Sequence, residues 1–167
     1  METPISIRPG VQGDLPFLEA MLFEAAYWHP DRPRPKHRNN YLTRPDLIFL
    51  LEDWGRTGDT AVIAIQRDGQ PVGAAWYRFW GPELHSYGYV SPEIPEIGIA
   101  VKSGFRGMGI GHKLVDALLK AGAAQGVEKI SLSVEVENHA LHLYRSHGFE
   151  PLELVENSWT MVATTKP

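Results

Sequence analysis

The sequence predicts a mixed α/β fold, an α+β arrangement in which helices flank one central sheet of parallel and antiparallel strands. The chain has 167 residues, 43% of them hydrophobic, which suits one compact domain with a substantial core. Segments with the two-residue period of half-buried strands alternate with segments of helical spacing. The order is strand, two helices, three strands, helix, strand, helix and two strands. It contains neither a repeat nor a linker, so we predict a single domain over residues 1–167.

The N-terminal part of the chain predicts one strand, two helices and an exposed loop. Ile5 and Ile7 alternate with polar neighbours, as in a short strand. Asp14 stands where an N-cap belongs, and the apolar residues after it recur at helical spacing. The segment at 29–38, HPDRPRPKHR, contains too many prolines for a helix and predicts an exposed basic loop. A second helix is expected around residues 45–54.

The middle of the chain predicts a hairpin followed by a short buried strand. Residues 60–67 (TAVIAIQR) are rich in strand-forming side chains, and Asp68-Gly69 is a typical hairpin turn. The next strand is expected over residues 70–80. After a loop rich in glycine and proline, EIGIAV at 96–101 predicts a short strand.

The C-terminal part predicts two helices that alternate with strands. An amphipathic helix follows the glycine-rich segment 104–111 and ends at Gly126. KISLSVEV at 129–136 alternates as a strand does, and Asn138 is expected to cap a short helix. The last two strands, FEPLELV and WTMVATT, are expected to pair across Asn157-Ser158.

Composition excludes several classes of function. A formal net charge of −4 gives no electrostatic reason to expect a nucleic-acid or anionic-membrane partner. The absence of cysteine excludes disulfides, thiolate zinc sites and cysteine nucleophiles. The first residues, METPISIRPG, lack the basic and then apolar pattern of a signal peptide, and no apolar stretch has the length of a membrane span. We therefore expect a cytoplasmic protein.

The glycine-rich segment GFRGMGIG, at 104–111, predicts a turn that needs bare backbone, since each glycine inside a helix costs about 1 kcal/mol relative to alanine. A P-loop requires GxxxxGK followed by Ser or Thr, but Lys113 lies beyond the turn and no hydroxyl residue follows it. A dinucleotide fingerprint requires GxGxxG after a first strand, whereas this spacing is GxGxG in mid-chain. The segment matches neither nucleotide motif.

The physical chemistry of this turn still favours an anion. A strand is predicted to end at Val101 and a helix to begin near residues 109–112, so unsatisfied N–H groups line the turn. Glycine lets phosphate oxygens approach the backbone without a Cβ in the way, and Arg106 adds a positive charge. A tight strand-to-helix connection without a ligand is the alternative that the turn alone leaves open.

Two motifs place the turn in a family. EIGIAVKSGFRGMGIG resembles the cofactor-binding segment of the GNAT acetyltransferase superfamily, whose signature Gln/Arg-x-x-Gly-x-Gly/Ala is met by Arg106, Gly109 and Gly111. Downstream, NHALHLYRSHGF resembles the second motif of that family; the matching residues are Asn138, Ala140, Tyr144, Gly148 and Phe149. The resemblance implies a GNAT-like acyl-CoA N-acyltransferase fold, with two splayed parallel strands in a central mixed sheet flanked by helices.

The resemblance also implies where acetyl-CoA, the cosubstrate of that family, binds. It lies between the two splayed strands, here residues 96–101 and 129–136. The pantetheine arm would pair with the backbone of the first strand, and the pyrophosphate would bind the amides of the glycine turn. The implied cofactor-binding residues are Ile99, Val101, Arg106, Gly107, Met108, Gly109, Ile110, Gly111 and Asn138. No metal is expected.

The chemistry implied by the resemblance is direct attack of a neutral amine on the thioester. This needs a base for the amine, stabilisation of the oxyanion by a strand N–H, and a proton for the departing thiolate. Tyr144 matches the general acid of the family, and packing on its helix is the alternative reading. The resemblance implies Glu96 as the candidate base, because many relatives carry a glutamate at the start of the splayed strand. Glu96 shares a strand face with Gly98 and Ala100, so it can face the cleft. A strand-end carboxylate in solvent is the alternative, and Glu93 and His85 are further candidates.

The acceptor is less defined by the sequence than the donor. His139 and His142 have a spacing that can bind a metal, but without a third ligand they predict a surface helix. In the family, the loop between the first two helices often borders the acceptor site. The residues that this suggests are Trp28, His29, Arg32, Arg34 and His37, with Tyr87 and Tyr89 on the opposite wall.

We therefore predict an N-acetyltransferase that uses acetyl-CoA and an amine acceptor. The acceptor is a small amine, an antibiotic-like amine, a polyamine or a protein amine, and the residues do not select among them. The alternative is a non-catalytic acyl-CoA-binding sensor or regulatory module, which would need the glycine turn but neither Tyr144 nor a base. Homodimers are common in the family, so a homodimer is a further expectation.

Overall fold

One seven-stranded sheet organises the protein in the computed structural model, which describes residues 4–37 and 44–165. The sheet order is β1-β2-β3-β4-β5-β7-β6, and every neighbouring pair is antiparallel except β4 and β5. The mixed sheet predicted from the sequence is thus confirmed. The strands are β1 (Ile5–Pro9), β2 (Thr60–Gln66), β3 (Pro71–Arg78), β4 (Glu96–Val101), β5 (Lys129–Glu135), β6 (Glu150–Val155) and β7 (Ser158–Thr164).

Helices cover both faces of the sheet, and the sheet separates the hydrophobic core into two clusters. On one face, α3 (Ile110–Ala124) packs its apolar stripe, including Leu114 and Leu118, against the centre of the sheet. On the other face, α1 (Leu15–Ala26) and α2 (Pro45–Ile48) cover β2 and β3. The short helix α4 (Ala140–Ser146) packs beside β5. None of the helices in the described parts of the chain combines the length and apolar character of a membrane span.

The helix predicted over residues 45–54 is wrong in its length, because α2 ends at Ile48 and tight turns follow it. The buried guanidinium of Arg78 explains the early end. It donates hydrogen bonds to the carbonyl oxygens of Leu50 (3.4 Å) and Glu52 (2.7 Å), and it is paired with the carboxylate of Asp59. The segment thus satisfies part of its backbone through tertiary contacts with β3, which local sequence does not reveal.

One predicted turn is confirmed in position and another differs from the structure. Asp14 is the N-cap of α1, as predicted, but its carboxylate accepts bonds from the Val11 N–H and from Arg8 rather than from the first turn of the helix. The last hairpin turns at residues 156–157 rather than at Asn157-Ser158, and Glu156 adopts a left-handed conformation there (φ 55°).

Candidate active site

The candidate site is a cleft between the parallel strands β4 and β5. The two strands share only one registered pair, Glu96 with Ser131, and they separate beyond it among the described residues. On its other edge β4 pairs with β3 over its whole length. The separation opens a cleft of about 1060 Å³, which is also lined by the end of α1, the glycine turn, the start of α3 and α4.

The open edge of β4 exposes backbone polar groups to the cleft. The Pro95 carbonyl accepts a hydrogen bond from the Ser131 N–H (2.9 Å), so this residue directs its backbone groups toward β5. Because backbone groups two residues apart point to the same edge of a strand, Ile97, Ile99 and Val101 direct theirs into the gap. An amide-bearing ligand laid along β4 would find strand-like partners there.

The glycine turn presents open backbone at the other end of the cleft. Gly104, Gly107 and Gly109 all have positive φ (91°, 76° and 79°), a region that side chains other than glycine rarely adopt. A Cβ added at any of them would meet no described atom within 4 Å, so the space above the turn is free. Gly109 is the N-cap of α3 and has no side chain to bond the first-turn N–H groups. The turn therefore fits a phosphate group.

Arg106 lies at the cleft but is already held by protein groups. Its Nε donates to the Val101 carbonyl oxygen (3.1 Å), and its Nη2 donates to Glu24 Oε2 (3.0 Å). Glu24 also accepts from Arg34, so the three side chains form one ion-pair cluster. The sequence did not indicate Glu24, because the 82 positions that separate it from Arg106 leave no local pattern.

Glu96 lines the cleft where β4 and β5 meet. Its Oε1 accepts a hydrogen bond from the Gly88 N–H (2.9 Å), and its buried Oε2 has no hydrogen-bond partner among the described residues. Burial raises the pKa of this carboxyl from 4.5 to about 7, since the Gly88 bond and the nearby Ser86 hydroxyl only partly offset the lost hydration. Near neutral pH this group can therefore both accept and release a proton.

Gly88 holds the Glu96 carboxyl in place. A Cβ added at Gly88 would lie 2.8 Å from Glu96 Oε1 and 2.7 Å from the backbone of Leu132. The loop thus approaches both groups closely only because residue 88 is glycine. The other candidate bases, Glu93 and His85, are exposed and do not line the cleft.

Tyr144 and Asn138 line the cleft from the β5 side. Tyr144 is 8% exposed, packs edge-on against Phe149, and has its pKa raised by burial above the ordinary value of a phenol. It is therefore protonated across the physiological range. Asn138 Oδ1 accepts a bond from the Ala140 N–H (2.9 Å) at the start of α4, so this side chain already supports the helix.

The remaining predicted cofactor-binding residues divide into two groups. Ile99, Val101, Gly107, Gly109, Ile110 and Gly111 line the cleft. Met108 does not line it, and its side chain is 40% exposed, so only its backbone belongs to the turn.

The residues predicted for the acceptor wall are only partly brought together. Trp28 and Tyr87 line the cleft. Tyr89 does not line it, and neither do four side chains of the loop after α1: His29, Arg32, Arg34 and His37. Arg32 is paired with Glu135 at the end of β5 (2.8 Å), and His29 lies 3.4 Å from Glu137. The loop is thereby tied to the end of β5 and to the segment that follows it. Arg38, also in the predicted basic loop, lies outside the described residues.

Sequence reasoning also missed a histidine pair beside the glycine turn. His112 lines the cleft, and its Nδ1 lies 3.0 Å from His147 Nε2. Burial and the neighbouring His112 lower the pKa of His147. Within residues 4–37 and 44–165, no group of three or more histidines, aspartates or glutamates is arranged to hold a metal ion.

Comparison with known proteins identifies one family. Residues 23–149 match the acetyltransferase (GNAT) family. A mycothiol acetyltransferase of Jonesia denitrificans is 30% identical over 133 residues, which are 78% of this chain and 38% of that protein. A second mycothiol acetyltransferase, from Corynebacterium glutamicum, is 30% identical over 131 residues and is covered over 39% of its length. The chain thus spans about two fifths of the length of these relatives.

Solved structures share the fold at low sequence identity. One is the PaiA N-acetyltransferase of Thermoplasma acidophilum in complex with coenzyme A, with a TM-score of 0.69, 14% identity, and coverage of 96% of this chain and 99% of that one. Another is the spermidine N-acetyltransferase of Vibrio cholerae in complex with CoA and spermine, with a TM-score of 0.65, 18% identity, and coverage of 96% and 95%.

Proposed function

This chain belongs to the acetyltransferase (GNAT) family, and we propose that it transfers an acetyl group from acetyl-CoA to a primary amine. Acetyl-CoA is the cosubstrate of the family. One observation carries the proposal: a single cleft joins an open, glycine-lined helix N-terminus to a partly buried carboxyl whose pKa is about 7. The first feature suits a phosphorylated donor, and the second suits an acceptor that must lose a proton.

The donor is proposed to lie along β4. Ile99 and Val101 would offer strand-like backbone partners to the pantetheine amides. The amides of residues 106–111 would hold the pyrophosphate, and Arg106 would contribute charge. Asn138 would contact the pantetheine arm from the β5 side. The open Cβ positions of the turn and the unpaired edge of β4 support this placement.

Glu96 is proposed as the base. Its carboxylate would take a proton from the acceptor ammonium, directly or through water, and leave a neutral amine whose lone pair attacks the thioester carbonyl carbon. The Glu96 pKa near 7 makes it a stronger base than an ordinary carboxylate while it stays largely ionised just above neutrality. An N–H of β4 would stabilise the oxyanion that forms at the attacked carbonyl.

Tyr144 is proposed as the acid. As the carbon–sulfur bond breaks, the phenol would give its proton to the departing thiolate, so that free coenzyme A leaves as the thiol. The position of Tyr144 in the lining of the cleft supports this role, and its raised pKa means that the group is protonated before transfer. The amide nitrogen loses its second proton, which restores the Tyr144 phenol, and the proton that Glu96 gained passes to solvent, so that the free enzyme is regenerated.

The location and the oligomeric state are parts of the proposal. A cytoplasmic location follows from the proposed use of acetyl-CoA, a metabolite made and consumed inside cells. A homodimer is proposed through the edge strand β6, which exposes Leu152, Leu154 and Val155. Size-exclusion chromatography with light scattering tests the oligomeric state.

Thiol release from acetyl-CoA across a panel of amines tests the function. The panel should include aminoglycosides, polyamines, amino sugars, amino-acid amides and peptides with free N-termini, because the similar proteins are named for chemically different compounds, mycothiol and spermidine. A parallel assay with a long-chain acyl-CoA shows which acyl-chain lengths the donor site accepts. We expect amine-dependent thiol release with at least one class. Tight acetyl-CoA binding without turnover on any amine would instead support the non-catalytic sensor.

A further inference from the structure

We propose that Glu24 and Arg34 are positioning residues of the donor site, which hold the Arg106 guanidinium beside the glycine turn. The loop over residues 28–37, which follows α1 on the acceptor side, thereby completes the site for the phosphates of the donor. This inference rests on the proposed function, since it concerns the same cleft.

Arg106 is fixed at two points although its side chain is 52% exposed. The Nε bond to the Val101 carbonyl ties the guanidinium to the end of β4, and the Nη2 bond to Glu24 ties it to α1. An arginine held this way loses less rotamer entropy when it meets an anion than a free side chain does. Glu24 therefore pre-orients the group.

Arg34 holds Glu24 from the other side. Its Nη2 lies 2.5 Å from Glu24 Oε1 and its Nη1 lies 3.3 Å from Glu24 Oε2, so the pair is bidentate. The guanidinium of Arg34 also lies over the ring of Phe23, with its Cζ 4.6 Å from the centroid. Arg34 does not itself line the cleft, so its effect on the donor must pass through Glu24.

The charges explain why Glu24 needs Arg34. Glu24 lies in the last turn of α1, where the helix dipole disfavours a carboxylate, and beside a site that must accept the negative phosphates. With Arg106 alone the pair has no net charge, whereas with Arg34 the cluster carries one positive charge. The Glu24 side chain is only 18% exposed, so solvent screens this cluster less than it screens a surface pair. The cluster around Glu24 thus carries a net positive charge only when Arg34 is docked.

Calorimetric titration of the whole protein with coenzyme A tests this coupling without relying on turnover. Arg34→Gln should weaken coenzyme A binding by about three- to tenfold, because it leaves the Glu24 charge uncompensated beside the phosphates. Glu24→Ala, which removes the acceptor that orients Arg106, should weaken binding by a similar factor. Glu24→Gln keeps an acceptor for Arg106 but removes the negative charge, so Arg34→Gln should add no further penalty in the Glu24→Gln background. In the wild-type background the Arg34→Gln penalty should shrink at high salt.

Arg56→Gln is the matched control. Arg56 is as exposed as Arg34 (41% against 43%) and also lies near a carboxylate, Asp53, but outside the cleft. It should leave the affinity for coenzyme A unchanged. Should Arg34→Gln fail to fold by circular dichroism, Arg34→Lys keeps the charge, loses the bidentate geometry, and should give a smaller penalty of the same kind.

Two results would overturn the inference. Arg34→Gln without a penalty would show that Glu24 needs no partner. A penalty that persists in the Glu24→Gln background would show that Arg34 acts on the loop itself rather than through Glu24. A wild-type protein that does not bind coenzyme A would instead overturn the proposed function, and the inference with it.

Discussion

The cleft has one half that we propose for the donor and one that we propose for the acceptor, and the two are built from different materials. The donor half consists of backbone: the open edge of β4, three glycines with positive φ, and the N-terminus of α3. The acceptor half consists of side chains from the end of α1, the loop that follows it and α2, and ion pairs between distant segments tie this half together. Glu96 lies at the junction of β4 and β5.

This difference determines how each half responds to substitution. The backbone of the donor half should be altered mainly by changes in conformation, and the distant side chains that we expect to affect it are Glu24 and Arg34, which act through Arg106. The acceptor half should be altered by single side-chain truncations, which otherwise leave the donor affinity intact. Glu96 and Tyr144 are the proposed proton-transfer groups. Substitutions there should affect turnover more than they affect the affinity for the donor or for the acceptor.

The largest effect is expected for Tyr144→Phe. Loss of the phenolic proton should lower kcat by about a hundredfold or more, because protonation of the leaving thiolate is then left to water. The affinity for coenzyme A should change less than about threefold, since the ring still fills its site against Phe149. Steady-state kinetics with calorimetry separates the two quantities. Unchanged turnover would exclude Tyr144 as the acid.

Gly109→Ala should weaken coenzyme A binding by about tenfold. Alanine at a φ of 79° is strained, and relief of this strain should move the amides at the N-terminus of α3. Gly126→Ala is a matched control at the other end of the same helix, with a φ of 80° and equally open space around its Cβ. Both variants should lose a similar amount of thermal stability, but only the first should lose affinity. Equal affinities would show that the turn does not bind the donor.

Trp28→Ala should raise the KM for the acceptor amine by about fivefold and leave the coenzyme A affinity unchanged. Trp28 lines the acceptor side of the cleft and carries the Arg32 guanidinium over its ring at 5.7 Å. Truncation should therefore remove a wall of the acceptor site, while the Arg34–Glu24 pair keeps the rest of the loop docked. A loss of affinity for coenzyme A, with no change in the KM for the amine, would show that Trp28 does not belong to the acceptor half.

The smallest effect is expected on stability. The pKa of Glu96 is raised on folding, so its contribution to stability is complete below pH 4.5 and is lost as the pH rises through about 7. Glu96→Gln carries no charge at any pH. It should raise the melting temperature by about 3 °C at pH 8 and by less at pH 5, as thermal unfolding at the two pH values would show. A variant that is less stable at pH 8 would show that the charged carboxylate stabilises the fold.

The fold and the glycine turn of the proposed donor half could be predicted from the sequence because both leave local patterns. Each of these patterns lies within a few consecutive residues: the strand period at 60–67 and 129–136, and the glycine spacing at 104–111. The structure places β2, β5 and the glycine turn there, with boundaries within one or two residues. The sheet type and the family followed from these patterns and are confirmed.

The parts that could not be predicted depend on contacts between distant residues. The early end of α2 depends on Arg78 of β3, which donates hydrogen bonds to the carbonyl oxygens of residues 50 and 52. The place of Glu24 beside Arg106 depends on how α1 crosses the end of β4. The bond from Gly88 to Glu96 depends on a loop without a regular pattern. Such contacts arise only after packing, and no spacing in the sequence records them.

The central claim is that the Glu96 carboxylate activates the acceptor, and one measurement tests it most directly. The ratio of wild-type to Glu96→Gln kcat/KM should be measured with one amine from pH 5.5 to 8.5, since the titration of the amine itself then cancels. Because the base acts only when ionised, the ratio should rise with pH, pass through its midpoint near 7, and level off above it. A ratio that stays flat across this range would contradict the account and place the base elsewhere.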